Sequence, residues 1–251
     1  MLDLDGVLWL AEQPIDGAAD AVNRLRAAGV RVVFFTNNSF TTRVQQLEKF
    51  ERHGIDVDGA DLFGSAQAAA RLVEPGERAY VLGGWGINEA LEERGVEIVD
   101  GTDLTTFPGT VDVVVVGLDR KITFDRLTIA ARAIRLGARF IATNDDATYP
   151  TPDGPLPGGG SIVAAVAVAS GASATVAGKP RRVAAELVTS TVGRIDLMVG
   201  DRPETDGAFA AALGAPFALV RSGVTAPGAV AGAPTAQFDT ADLHSLVEDL
   251  L

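Results

Sequence analysis

Four short polar stretches hold the residues of this chain that could do chemistry: DLDG at 3–6, TNN at 36–38, GKP at 178–180 and GDRPETD at 200–206. The first places Asp3 and Asp5 two residues apart in an apolar run, MLDLDGVLWL, that reads as a β-strand. Residues i and i+2 of a strand share a face, so the two carboxylates stand side by side. Like charges at that spacing repel unless something compensates them. Three of the four stretches directly follow apolar runs, and in open α/β sheets ligands bind at the carboxyl ends of strands. Taken singly, each has a plain structural reading. An Asp at a strand end commonly caps the next helix, and Pro180 suits a first helical turn that leaves Lys179 solvated. It is the four together, in this order, that point to a shared site.

The elements that must position them alternate in kind. Candidate strands lie at 30–35, 79–83, 112–118, 139–143, 196–200 and 217–220. Helical patterns fall near 17–28, 41–54, 87–94, 124–136, 161–170, 181–190 and 204–213. Strands alternating with helices argue for parallel α/β units, and a run such as VVVV at 113–116 suits a sheet covered on both faces. Only Met1 and Leu2 precede Asp3, so either the first strand is short or the true start lies upstream. The segment TNDDATYPTPDGPLPGGG, 143–160, is rich in turn formers and reads as either a functional loop or a mobile surface one. The uncharged stretch 154–178 has a strongly apolar part of only 162–169, too short to span a bilayer, and is expected to form a buried helix. GGWG at 83–86 reads as a strand-to-helix turn rather than a phosphate cradle. His53 and His244 suit helix-end or surface positions, and Trp9 suits the core at least as well as the site.

Composition narrows the classes. The 251 residues are 47% hydrophobic and 22% charged, which places the chain among globular proteins. It has no cysteine, so disulfides, thiolate metal sites and a cysteine nucleophile are excluded. A net charge of -12 argues against nucleic acid and anionic membrane surfaces as partners. Any anionic substrate must be attracted locally. No secretory signal is visible at the N-terminus, and a cytoplasmic location is expected.

The motif set resembles the haloacid dehalogenase-like phosphohydrolase superfamily, subfamily IIA, the NagD-type or nitrophenylphosphatase-like group. DLDGVLW is similar to its first motif, TNN to its second, GKP to its third and GDRPETD to its fourth, and AYVLGGWG, ATNDDATYP and LPGGGSIVAAV resemble further landmarks. One departure is Gly207, where the family more often has an aliphatic residue. The resemblance implies a Rossmann-like, doubly wound parallel α/β core, residues 1–79 and 174–251, with an inserted α/β cap at 80–173. All four motifs fall in the core.

The resemblance also implies roles. Asp3 is then the nucleophile that forms an aspartyl-phosphate, and Asp5 the acid that protonates the leaving alkoxide and later activates water. Thr36, Asn37, Asn38 and Lys179 bind the phosphoryl group. Asp3, the Asp5 backbone carbonyl and Asp201 hold Mg²⁺, with Asp206 more suited to orienting a metal-bound water. In the cap, Asn144 and Asp145, with Asp146 beside them, are candidates to contact a polyol or sugar-like leaving group; turn-capping is the competing reading. The expected activity is Mg²⁺-dependent hydrolysis of small phosphate monoesters by a homodimer paired through the cap. A dehalogenase has no need of Asp5. A phosphomutase, another phosphotransferase or a non-enzymatic phospho-acceptor domain remain as alternatives, the last usually shorter and without a cap.

Overall fold

The computed structural model describes residues 1–102, 104–105, 107, 109–151, 153–225, 228 and 234–251. Its first sheet is wholly parallel. Phe34–Thr36 pairs with Leu62–Gly64, and Met198–Gly200, Phe217–Val220 and Phe238–Thr240 follow one another in register. Leu2 closes the gap between the two halves by bridging Phe34 on one side and Val199 on the other. Its ladder is short but complete: Leu2 N–H donates to Val33, Phe35 N–H to Leu2, and Asp3 N–H to Val199, at 2.8–3.0 Å. The opening strand is thus central and nearly as brief as the sequence allows. Buried on both faces, such strands need no alternation, and FFT, MVG and FALV are buried throughout.

Helices cover both faces of this sheet. On one side Ala18–Ala27, Arg43–Arg52 and Leu243–Leu250 bring Val22, Phe50 and Leu246 into a core with Phe34, Trp9 and Val199. Trp9 belongs to that core: it is 3% exposed and meets Phe50 edge to face at 5.0 Å. On the other side Ser65–Ala70, Arg182–Val192 and Ala208–Leu213 contribute Ala69, Val188 and Phe209. The doubly wound core expected from the alternating pattern is present. Thr42 caps the second helix in a reciprocal box with Gln45, which fixes where the polar loop after Thr36 ends.

A second sheet of five parallel strands has the order Thr175–Val176, Arg139–Ala142, Val113–Val116, Arg78–Leu82, Glu97–Ile98. Helices Phe124–Arg135 and Gly159–Ser170 pack on one of its faces, and Trp85–Glu92 on the other. Val81, Val113 and Ile141 of this sheet join the same apolar cluster as Phe35 and Phe209, so the two sheets are packed together, not strung on a linker. The GGWG turn makes this possible. Gly84 starts the helix Trp85–Glu92, and a Cβ there would lie 2.4 Å from the Phe40 backbone, so only glycine lets the two units approach.

The helix Gly159–Ser170 corrects the expectation of a buried helix. It buries Ile162, Val163 and Val166 against the second sheet but leaves Val168 86% exposed, because it lies on an outer face with Ala and Val on every side. Within the turn-rich segment Thr148–Tyr149 pairs antiparallel with Leu156–Pro157 as a ribbon. Among the described residues no helix is long and apolar enough to cross a membrane.

Candidate active site

The polar stretches converge at the carboxyl edge of the first sheet because their strands are parallel and in register. Asp3 follows Leu2, Thr36 ends its strand, and Asp201 follows Gly200. Lys179 arrives from beneath the second sheet, one residue beyond Gly178, whose N–H donates to the Thr143 carbonyl at 2.7 Å. Its ammonium is 1% exposed and donates to Asp3 Oδ1 and Asp206 Oδ1, each at 2.7 Å. Asp206 Oδ2 accepts the backbone N–H groups of Asp201 and Arg202, so both of its oxygens are engaged. Asp201 Oδ2 accepts from Val224 N–H at 2.6 Å, while its Oδ1 is buried and has no partner.

One oxygen from each of Asp3, Asp201 and Asp206 lies within 4.8 Å of the others. Three buried carboxylates against one lysine leave an excess of negative charge, and the orphaned Asp201 oxygen marks where a cation is wanted. Carboxylate and carbonyl oxygens at this density suit a hard divalent ion such as Mg²⁺. Gly6 keeps the arrangement possible. It has φ +92, and a Cβ on it would fall 2.4 Å from Asp201 Oδ2.

Burial raises the Asp3 carboxyl well above its ordinary pKa, with Lys179 opposing and Asp206 and Asp201 adding to the rise. Burial, reinforced by Asp206, lifts Asp201 to about 7. Asp5 is raised by burial too, against the opposing pull of Lys49 and Lys179. Desolvation works to lower Lys179, but the two carboxylates outweigh it and hold the ammonium charged.

The TNN loop divides its labour. Thr36 Oγ1 accepts the Asn38 N–H at 2.9 Å, so that amide is already used and the Thr36 hydroxyl hydrogen remains to be donated. The Asn37 side chain is a hub: its amide donates to Asp146 Oδ2 and to the Lys179 carbonyl, and its oxygen accepts the Lys179 N–H. Asn38 Oδ1 accepts from Phe40 N–H and stiffens the loop.

The segment after Thr143 overhangs this edge, with a change of residues from those singled out in the sequence. Asn144 is 4% exposed and spends its amide on the Asn37 carbonyl and its oxygen on Asp146 N–H, so it braces the site. Asp145 points outward to an exposed ion pair with Arg181 and does not line the cleft, which corrects its assignment as a substrate contact. The chain turns there, and it is Asp146 that faces the cleft, bonded to Asn37. Tyr149 and Arg202 also line the cleft, and Arg202 donates to the Thr148 carbonyl at 3.3 Å, tying the two units together. The only hint of Arg202 in the sequence is its place beside Asp201. Burial lifts the Asp146 carboxyl, with Asn37 opposing. The cleft itself holds about 60 Å³, and its wall includes Asp3, Asp5, Thr36 and Lys179.

Residues 1–97 match the family model described as haloacid dehalogenase-like hydrolase, and residues 176–246 match a second one for hydrolases of the same type. An acid sugar phosphatase of Staphylococcus aureus (strain USA300) is 37% identical over 213 residues, 82% of this chain and 79% of that protein. The chain belongs to the haloacid dehalogenase-like hydrolases, and its relatives are of the subfamily IIA type. Among solved structures, a p-nitrophenyl phosphatase from Archaeoglobus fulgidus superposes with a TM-score of 0.85 at 31% identity, covering 99% of this chain and 97% of that one. A glycerol phosphate phosphatase from Mycobacterium tuberculosis, solved in complex with magnesium, gives 0.86 at 34% identity, covering 98% of this chain and 75% of that one.

Proposed function

We propose that this protein is a Mg²⁺-dependent phosphatase of small phosphate monoesters, of the sugar, polyol or nitrophenyl phosphate type. The observation that carries the reading is the buried Lys179 held between Asp3 and Asp206, with the unpartnered Asp201 oxygen beside them. The relatives named above, an acid sugar phosphatase, a p-nitrophenyl phosphatase and a glycerol phosphate phosphatase, support it.

In this reading Lys179 orients the Asp3 carboxylate, and an Asp3 oxygen attacks phosphorus as the ester P–O bond breaks. Asp5, whose pKa burial raises, gives its proton to the departing alkoxide. The aspartyl-phosphate is then opened by water, which attacks phosphorus and returns a proton to Asp5, releasing inorganic phosphate and restoring Asp3. The Thr36 hydroxyl and the backbone amide of Asn37 donate to phosphoryl oxygens, and Lys179 stabilises the charge that builds on them. Asp3, Asp201 and the Asp5 carbonyl would hold Mg²⁺, with Asp206 in support, and the ion would supply positive charge to a dianionic substrate in an acidic protein. The unit built on residues 78–176 serves as a cap whose ribbon excludes water and meets the leaving group. Its helices leave Phe124 82% and Val168 86% exposed, and pairing of two copies through the cap is the assembly we propose. Light scattering tests that pairing, and a monomer contradicts it.

The test of the function is a panel of phosphate monoesters assayed for phosphate release with and without Mg²⁺. Nitrophenyl phosphate and at least one sugar or polyol phosphate should be hydrolysed only with the metal. Release unchanged by EDTA would overturn the reading.

A further inference from the structure

Beside the phosphate cleft lies a second and larger cavity, of about 340 Å³, which shares Asp5, Thr36, Asn38 and Tyr149 with it. The cleft is large enough for a phosphoryl group and little else, whereas the second cavity has the size of an ordinary small-ligand site. A monoester bound through its phosphate with Asp5 at the ester oxygen would send its leaving group into this space. Its wall carries three acids, Asp5, Glu12 and Glu48, and three cations, Lys49, Arg52 and Arg120.

Two of the three are already engaged. Arg52 pairs with Glu12 at 3.3 Å, and Lys49 lies 3.7 Å from the same carboxylate, donates to the Ala11 carbonyl and sits over the Trp9 ring. Arg120 is different. Its neighbour Asp119 is turned inward, where it takes the Arg126 guanidinium and the Lys121 N–H, so the nearest acid in the chain is occupied. Among the described residues Arg120 has no carboxylate and no carbonyl partner, only two aromatic faces. Its guanidinium lies 5.5 Å from the Phe40 ring centroid and 6.0 Å from that of Tyr149. Phe40 comes from the loop after Thr36, and Tyr149 from the ribbon over the site. The two rings are attractive to a cation without using its N–H donors, which have no hydrogen-bond acceptor among the described residues.

We infer that Arg120 is a specificity-determining residue that selects phosphate monoesters whose leaving group carries a second anionic group. A guanidinium recognises a carboxylate or phosphate through paired, charge-assisted hydrogen bonds, which an alcohol cannot match. This inference rests on the phosphatase reading and adds to it the class of substrate that the site prefers.

The experiment compares two esters of equal length that differ at the far end: the monophosphate of 3-hydroxypropanoate and that of propane-1,3-diol. Wild-type protein with Mg²⁺ should favour the carboxylate ester by roughly tenfold in kcat/KM, the value of one charge-assisted pair. Arg120→Met should abolish that preference by raising KM for the carboxylate ester with kcat within about twofold, and Arg120→Lys should restore part of it. The ester of ethane-1,2-diol bearing a second phosphate, run beside these, should follow the carboxylate ester in sensitivity to Arg120. If the wild type turns over both short esters equally, the inference is wrong and the phosphatase reading stands. Equal loss on both esters in Arg120→Met would also overturn it, since Arg120 would then act only by holding Phe40 and Tyr149. Hydrolysis of nitrophenyl phosphate but of none of these esters would overturn the inference and leave the phosphatase reading standing, whereas failure on nitrophenyl phosphate as well would overturn both.

Discussion

Replacing Lys179 with Met removes the ammonium held between Asp3 and Asp206 in a cluster of three buried carboxylates while keeping the length of the side chain. Lys179 makes two contacts of 2.7 Å, to Asp3 and Asp206, and is 1% exposed. Removing one partner from a buried ionic cluster costs about 3–5 kcal/mol, because the remaining charges are left without compensation. At roughly 2–4 °C per kcal/mol for a chain of this size, the melting temperature should fall by about 10 °C in metal-free buffer at pH 8. The deficit must also depend on pH. Lys179 pulls the Asp3 pKa down, so its loss raises that pKa further, and acid then relieves the repulsion by protonating the carboxyls. The variant should therefore approach the wild type as pH falls to 5. Urea unfolding in EDTA, followed by the fluorescence of Trp9 and Trp85, measures both effects. A deficit below about 1 kcal/mol at pH 8, or one of equal size at both pH values, would refute the assignment of Lys179 as the compensating charge.

Two further outcomes follow from the site. Burial and the neighbouring Asp206 push the Asp201 carboxyl up from its ordinary 3.8 to about 7 in the folded protein. Between those values the unfolded chain holds fewer protons than the folded one, so metal-free stability falls as pH rises through about 4 to 7. Mg²⁺ held by the ionised carboxylates offsets that loss, so its addition should raise the melting temperature strongly at pH 8 and little at pH 5; equal shifts at both would contradict it. In the ribbon segment, Asp145→Ala breaks only an exposed pair with Arg181 and should leave kcat/KM within about twofold. Asp146→Ala, which removes the partner of the Asn37 amide, should lower it by tenfold or more on sugar and polyol phosphates, and the reverse ranking would show that the turn is misassigned.

How far the sequence revealed these features follows from the physics of each. Asp3, Thr36 and Asp201 were legible because a buried parallel strand is an unbroken apolar run, and the first polar residue after it must lie at the sheet edge. Lys179 was legible only through its motif, since nothing local says that a lysine after glycine turns inward to meet Asp3 from 176 positions away. Asp145 and Asp146 could not be told apart, because a ribbon turn decides which of two adjacent acids faces the cleft. The outer face of Gly159–Ser170 was hidden by Ala and Val on all sides, which leave no amphipathic stripe to read. Strands of three residues, Leu62–Gly64 and Phe238–Thr240, carry too little periodicity to stand out. Arg120 gave no signal at all, as its importance lies in what fails to pair with it.

The central claim is that Asp3 is the nucleophile, and trapping its phosphorylated form tests it most directly. Wild-type protein mixed with Mg²⁺ and a phosphate-labelled monoester, then quenched in acid, should carry the label on the peptide that contains Asp3, and hydroxylamine should release it as expected of an acyl phosphate. Asp3→Asn keeps the shape but removes the attacking oxygen anion, so it should carry no label and turn over at least about a thousandfold more slowly, roughly 4 kcal/mol of barrier. Label on another residue, or near-normal turnover by Asp3→Asn, would contradict the account.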